Sequence, residues 1–330
     1  MQQTGPDVPM EPRMRVEYSP THLFQPNHGQ VTTRFDLHQK VLWCYMDPKP
    51  RACFSFSLLE DLRKVQTYIE QTNRKGMNNG SDCPIPYAVF TSKVPKIFSF
   101  GGDLDLFIRC IREQDRQELW RYASLCIDVL FSNFNSYGLP MTTVILAKGD
   151  ALGGGFEAVL SGNVIVAEKD AQFGLPEVLF NMFPGMGAYS LLSRKIGAPL
   201  AEKIILSGKI YSAAEMKEMG VVDILAENGK GETAISEYVA WHSRKRNAYQ
   251  GILKARRIIN RIDREELDEI AKVWVDAALS LGPKDMKLME RLIKAQDRIR
   301  EEVQPSGTLV PSGISGDSTG EIMKQHTPAS

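Results

Sequence analysis

The chain has 330 residues, 43% of them hydrophobic, with 40 basic and 40 acidic side chains and therefore no formal net charge. This length allows one large core or two smaller ones. Zero net charge gives no field that favours nucleic acid or a membrane surface. The apolar runs are far shorter than the roughly 20 residues of a membrane-spanning helix.

Five cysteines without a C-x-x-C pair and five scattered histidines show no metal-ligand spacing. We therefore expect no metal, and reduced thiols in a cytoplasmic protein. Residues 1–30 are rich in Pro, Gln and Thr and lack the apolar stretch of a secretory signal. Residues 303–330 are rich in Ser, Gly, Thr and Pro. Both segments are predicted to be disordered.

Strand and helix patterns alternate in the first half of the chain. Short β-branched or aromatic runs at 30–36, 40–46, 87–91, 96–100, 144–147 and 164–167 predict strands. Ser57 and Glu60 fit a capping box that starts a helix, and residues 74–86 are expected to form an exposed loop. One long helix is expected from residue 104 to about Asn135. Strand, strand and helix recur, which indicates stacked ββα units.

The second half of the chain reads as mostly helical after Gly187. Short helices are predicted at 200–207 and 212–219, a last strand at 221–225, and longer helices at 233–246, 253–262, 265–281 and 283–300. The pattern predicts a strand-rich core at 31–225 and a helical region at 226–302.

The most informative stretch runs from Val144 to Gly187. An apolar run enters a turn with three adjacent glycines, residues 153–155, and a helical segment follows directly. Glycines let the backbone approach a ligand closely, and a helix start aims free N–H groups and a positive dipole at it. Phosphate sites and oxyanion holes are both built this way. Glu157 and Glu177 lie among apolar residues, where charged groups are out of pattern for plain packing.

Four motifs in this order resemble the crotonase (enoyl-CoA hydratase/isomerase) superfamily. They are SFGGDL at 99–104, ALGGGFE at 151–157, FGLPE at 173–177 and FPGMG at 183–187. Segments RACFS at 51–55, PEVLF at 176–180, PGMGAYS at 184–190 and WVD at 274–276 are similar to diffusible-signal-factor synthases. The resemblance covers roughly residues 31–300. It implies an α/β crotonase fold, a ClpP/crotonase-like spiral of ββα units with a C-terminal helical trimerisation region.

The resemblance also implies a site. The backbone N–H groups of Gly102 and Gly154 would form an oxyanion hole for a thioester carbonyl, and Glu157 and Glu177 would be the catalytic acid and base. Both glutamates together favour hydratase or dehydratase chemistry over isomerase chemistry, and which one is the base stays open. The expected substrate-binding residues are Gly101, Leu152, Gly153, Met186 and Trp274.

Three functions are compatible with these motifs. The leading one dehydrates a 3-hydroxyacyl thioester of acyl carrier protein or coenzyme A and then hydrolyses the 2-enoyl thioester. The product would be a cis-2-unsaturated fatty acid that serves as a quorum-sensing signal. An ordinary enoyl-CoA hydratase without thioesterase activity is the second function. A non-catalytic regulator that binds a two-component sensor is the third.

Assembly and carrier binding are predicted from the late helices. The family resemblance and the apolar positions Ile258, Leu267 and Ile270 predict a homotrimer or hexamer. A basic face at residues 254–257 with Arg261 is either solvated or meets the acidic surface of a carrier protein or a coenzyme A phosphate. No cofactor is expected beyond the thioester carrier.

Overall fold

The structure, a computed structural model, describes residues 28–80 and 82–303. The two segments predicted to be disordered lie almost entirely outside the described residues. Within the described part of the chain, none of the helices combines the length and the apolar character needed to cross a membrane.

Short strands build two sheets. Numbered along the chain, the strands are β1 Val31–Asp36, β2 Val41–Met46, β3 Tyr87–Ser92, β4 Ile97–Ser99, β5 Thr142–Ala147, β6 Asp150–Leu152, β7 Val164–Glu168, β8 Gln172–Gly174, β9 Ile210–Ser212 and β10 Ile224–Ala226. The six-stranded sheet has the order β1-β2-β3-β5-β7-β10, and the four-stranded sheet has the order β4-β6-β8-β9. Only β1 with β2 and β8 with β9 pair antiparallel among these strands.

Eleven α-helices of the described region surround the sheets. They are α1 Phe56–Asn78, α2 Leu104–Glu113, α3 Arg116–Phe134, α4 Gly154–Leu160, α5 Ala188–Ile196, α6 Ala198–Ser207, α7 Ala213–Glu218, α8 Gly231–Ser243, α9 Arg246–Ile259, α10 Arg264–Leu279 and α11 Pro283–Val303. Six helices are predicted after Gly187, whereas the structure has seven, because α5 was not predicted. The other six overlap their predicted ranges.

Both faces of the six-stranded sheet are buried. In β5, Val144 and Leu146 belong to an apolar cluster shared with α8, whereas Ile145 and Ala147 belong to the main core. Successive side chains of a strand point to opposite faces, so a continuous apolar run is what a sheet covered on both sides requires. The glycine turn at 153–155 follows β6, which comes three residues after the buried strand β5.

The start and length of α1 differ from the prediction. The N-cap is Ser55, whose side chain accepts from the Leu58 N–H, so the capping box at Ser57 is wrong. The helix continues to Asn78, through the first part of the segment predicted to be a loop. An N-cap only needs an oxygen that reaches the N–H two or three residues on, and Ser55 meets that need as well as Ser57.

The predicted long helix after residue 104 is two helices. Gln114 takes a left-handed conformation with φ of 55° and ends α2, and the Asp115 side chain caps α3 by accepting from the Glu118 N–H. The three-residue strands β6, β8 and β9 were also not predicted. Runs this short carry no periodic signal.

The last two helices pack back onto the core. Arg51 pairs with Asp297 of α11 at 2.7 Å, and Arg112 of α2 pairs with Glu290 of α11 at 2.7 Å. Leu267 is only 1% exposed and packs in the core, so the prediction that it is an exposed assembly contact is wrong. Ile258, by contrast, is 78% exposed. Helices α10 and α11 therefore cover the core of their own chain.

Candidate active site

A largely apolar cavity lies between α3, α4, the glycine turn and the helices α10 and α11. Of the predicted site residues, all except Gly101 line it. They are Gly102, Leu152, Gly153, Gly154, Glu157, Glu177, Met186 and Trp274. Residues spread over more than 170 positions of sequence are thus brought to one cavity.

Two backbone turns meet at its polar end. A Cβ built on Gly154 would lie 3.4 Å from the nitrogen of Gly102, so the two proposed donors are neighbours. Gly154 is the first residue of α4, and the first N–H groups of a helix have no intrahelical acceptor. The N–H of Asp103, next to Gly102, is already taken by the hydroxyl of Tyr122. This arrangement fits two donors that converge on one oxygen.

Gly101 lies behind this pair and does not line the cavity. Its φ is +100°, and a Cβ at this position would lie 2.8 Å from the carbonyl oxygen of Leu152 and 2.9 Å from the nitrogen of Gly154. A side chain would push the two turns apart. Gly101 therefore permits the close approach of the turns, and it is not among the residues that line the cavity.

Glu157 lies one helical turn after Gly154 and is 2% exposed. Its Oε1 accepts hydrogen bonds from the backbone N–H groups of Met186 at 2.9 Å and Ala188 at 3.0 Å. Burial raises the pKa of Glu157 to about 7, although the backbone N–H groups at residues 186–188 lower it. Since those donors favour the charged form, Glu157 is the carboxyl of the pair that ionises first.

Glu177 stands at the start of a short 3₁₀ helix, Pro176–Phe180. A Cβ built on Gly153 would lie 2.7 Å from its Oε1, so the carboxyl sits over the glycine turn. Its Oε2 is buried and has no hydrogen-bond partner among the described residues. Burial, and then the charge of Glu157, raise the pKa of Glu177 to about 8. Both causes favour the protonated form of Glu177.

Trp274 of α10 forms one wall. It is 3% exposed, its ring meets Phe107 edge-on with centroids 5.0 Å apart, and a Cβ on Gly185 would lie 2.3 Å from its Cγ. A glycine at 185 is thus what allows the indole to reach the cavity. Met186, the next residue, contributes its N–H to Glu157 and its side chain to the lining.

Tyr122 also lines the cavity, and no motif in the sequence identifies it as a site residue. It is 1% exposed, donates to the carbonyl of Phe54 at 2.6 Å and accepts from the N–H of Asp103 at 3.2 Å. Its hydroxyl therefore fixes the turn that presents Gly102. A tyrosine in the middle of α3 carries no local signal of that contact, because its two partners are 68 and 19 residues away.

Tyr122→Phe is expected to lower kcat about 10- to 100-fold with little change in KM, because a displaced donor stabilises the transition state less well. Steady-state kinetics with a 2-enoyl-CoA would measure this. Tyr87→Phe is the matched control, since Tyr87 is equally buried and its hydroxyl bonds to His242 on the other face of the sheet. An equal loss of kcat in both variants would contradict a positioning role for Tyr122.

A family model named Enoyl-CoA hydratase/isomerase matches residues 47–268, which is most of the described region. The chain belongs to this family. Among family members, the mitochondrial methylglutaconyl-CoA hydratase of Mus musculus is 32% identical over 155 residues, which cover 47% of this chain and 47% of that protein. The chain spans between 19% and 56% of the length of the first curated relatives that it matches.

Solved family structures confirm the predicted crotonase fold. Enoyl-CoA hydratase from Bacillus halodurans aligns with a TM-score of 0.64 and 21% identity, over 79% of this chain and 99% of that one. DspI from Pseudomonas aeruginosa aligns with a TM-score of 0.56 and 22% identity, over 82% of this chain and 96% of that one. At these identities the likeness concerns the fold alone.

Two arginines of the predicted basic face, both on α9, bond to their own chain. Arg256 donates to the carbonyl of Asn163, just after α4, and Arg257 donates to the carbonyl of Asn135, which caps α3. Cations at the carboxyl ends of helices complement the helix dipole. These two arginines are thereby held against their own chain.

Proposed function

We propose that this family member catalyses enoyl-thioester hydration and 3-hydroxyacyl-thioester dehydration. The observation that carries the proposal is the buried pair of Glu157 and Glu177, which line the same cavity as Gly102 and Gly154. Burial raises both pKa values toward neutral pH, to about 7 and about 8. General acid–base groups work best when their pKa is near that pH. A non-catalytic protein has no need to bury two carboxyls beside two converging N–H groups.

The pair divides the proton transfers. In hydration, the Glu157 carboxylate takes a proton from water as the water oxygen attacks C3, and protonated Glu177 gives its proton to C2. Dehydration reverses both transfers, so Glu177 takes the C2 proton and Glu157 protonates the departing hydroxyl. Negative charge that develops on the thioester oxygen meets the N–H groups of Gly102 and Gly154.

We further propose that the same site hydrolyses the enoyl thioester and releases a cis-2-unsaturated fatty acid. Water activated by a glutamate attacks C1, charge again develops on the carbonyl oxygen, the C–S bond breaks and the carrier thiol leaves with a proton. The chain needs no serine nucleophile for this route, because the activated water is the nucleophile. One oxyanion hole serves both reactions. The support is the set of motifs similar to signal-factor synthases.

On the family resemblance we propose that the protein is a homotrimer or hexamer in the cytoplasm. The proposed carrier of the acyl group is acyl carrier protein or coenzyme A. Exposed Ile252, Ile258 and Ile259 on α9 support an assembly contact on that helix.

Product analysis tests the function. The pure protein is incubated with 3-hydroxyacyl carrier protein and, separately, with 3-hydroxyacyl-CoA, and products are identified by mass spectrometry, with chromatography to separate cis from trans. Free cis-2-enoic acid is the expected product. An enoyl thioester that accumulates without free acid would make the protein an ordinary hydratase. Absence of any conversion would overturn the enzymatic proposal and favour a partner-binding regulator.

A further inference from the structure

One face of α4 runs along the wall of the cavity. Gly154, Glu157, Ala158 and Ser161 all line it, and spacings of three, four and seven residues form one stripe of a helix. Gly154 presents its N–H at one end, and Ser161, which keeps helical dihedral angles at the C-cap, stands at the other. An acyl chain whose thioester is held at Gly154 and which follows this stripe runs toward Ser161.

The facing wall is a stripe of α3. Its members that line the cavity are Tyr122, Cys126, Val129, Leu130 and Asn133. Most of this wall is apolar, and the stripe ends at the carboxamide of Asn133. The two stripes converge, because the Asn133 Nδ2 lies 3.4 Å from the Ser161 Oγ.

The end formed by these two residues is polar and tightly bonded. Asn133 Oδ1 accepts from Gln66 Nε2 at 2.9 Å and from Tyr137 Oη at 3.0 Å, and Ser161 Oγ donates to the Ala158 carbonyl at 2.6 Å. Asn133 is 4% exposed and Ser161 1%. A methylene that pushed past this point would separate buried polar groups from their partners, which is unfavourable.

We propose that Asn133 and Ser161 form the floor of the acyl pocket and set the chain length of the substrate. From Gly154 to Ser161 the helix advances about 10 Å, at about 1.5 Å per residue. A fully extended chain advances about 3.5 Å for every three bonds, so about nine bonds fit. The substrate class is therefore a medium-chain acyl thioester of about eight to ten carbons. The inference rests on the proposed function, because that function places the thioester at Gly154.

Each methylene added above the floor gains apolar burial, whereas one added beyond it does not. Binding should strengthen about fourfold per carbon from C4 upward and stop improving near C10. Titration calorimetry with saturated acyl-CoA thioesters from C4 to C16 measures this profile directly. The kcat/KM values for 2-enoyl-CoA substrates of the same lengths should follow it.

Two substitutions test the placement of the floor. Ala158→Leu fills the middle of the pocket, so the preference for C10 over C4 should fall at least tenfold. Ala277→Leu is the matched control, since Ala277 is also half-buried in a helix and does not line the cavity. Ser161→Ala removes a hydroxyl whose own donated bond is local, and it should move the optimum to a longer chain by about one carbon.

The outcomes separate this inference from the proposed function. If every chain length is converted but affinity rises steadily through C16, or if Ala158→Leu keeps the wild-type profile, the floor is wrong and the enzymatic proposal stands. If no acyl thioester binds or reacts at any length, both are overturned. A plateau near C10 that Ala158→Leu shortens and Ala277→Leu leaves in place supports the inference.

Discussion

Glu177→Gln and Glu157→Gln are each expected to lower kcat/KM for hydration of a medium-chain 2-enoyl thioester by about 10²- to 10⁴-fold, the range for loss of a positioned acid or base. Glutamine keeps the shape of the side chain but neither holds nor accepts a proton at neutral pH. Stopped assays would measure the loss, while circular dichroism and light scattering check that fold and assembly are retained. Glu168→Gln is the control, because Glu168 is also buried but bonds to the Gly231 N–H away from the cavity.

The pH dependence of kcat/KM for the wild-type protein should report the titration of both glutamates. The pair is competent when it carries one proton, so kcat/KM should fall below about pH 7, where Glu157 is protonated, and above about pH 8, where Glu177 has lost its proton. These two apparent values belong to the pair as a unit. Glu177→Gln should lose the alkaline limb, and Glu168→Gln should keep the full bell. A flat wild-type profile from pH 6 to pH 9 would contradict the two-glutamate mechanism.

The polar end of the site was predictable from sequence because the residues that form it are close together in the chain. Three adjacent glycines after a strand require a tight turn, and a carboxylate two residues later is on the helix that the turn starts. The buried apolar runs of β5 and β7 likewise identify strands covered on both faces. Family resemblance added the second donor, Gly102, which composition and spacing alone do not connect with Gly154.

The rest of the site depends on contacts between distant segments. The sequence around Tyr122, Asn133 and Ser161 shows the same pattern as any buried helix. Only the packing of α3 against α4 places these residues along the cavity. Gly101 shows the reverse case: its motif pointed to substrate contact, and its positive φ and backbone neighbours show that it spaces the two turns. The prediction that Leu267 is an exposed assembly contact is wrong for the same reason. Only the packing of α10 shows that this side chain points inward.

The burial that tunes the two carboxyls should also make the fold less stable at alkaline pH. Glu177 has a pKa of about 8 in the folded chain, against about 4.3 for an exposed glutamate. The folded protein therefore holds a proton that the unfolded chain has already released. That contribution to stability is fully present below about pH 4 and is lost as pH rises through about pH 8.

Glu177→Gln is therefore expected to be more stable than the wild type at pH 9, by a few kcal/mol in the free energy of unfolding, because burying a neutral amide avoids burying a charge. At pH 5 the buried side chain is neutral in both folded proteins, so the difference should be much smaller. Urea unfolding at both pH values and one fixed protein concentration would measure it. Glu237→Gln, on the exposed side of α8, should show no such pH-dependent gain. If the Glu177→Gln advantage is the same at pH 5 and pH 9, the carboxyl is not held protonated in the folded chain. The proton delivered to C2 during hydration would then have to come from another group.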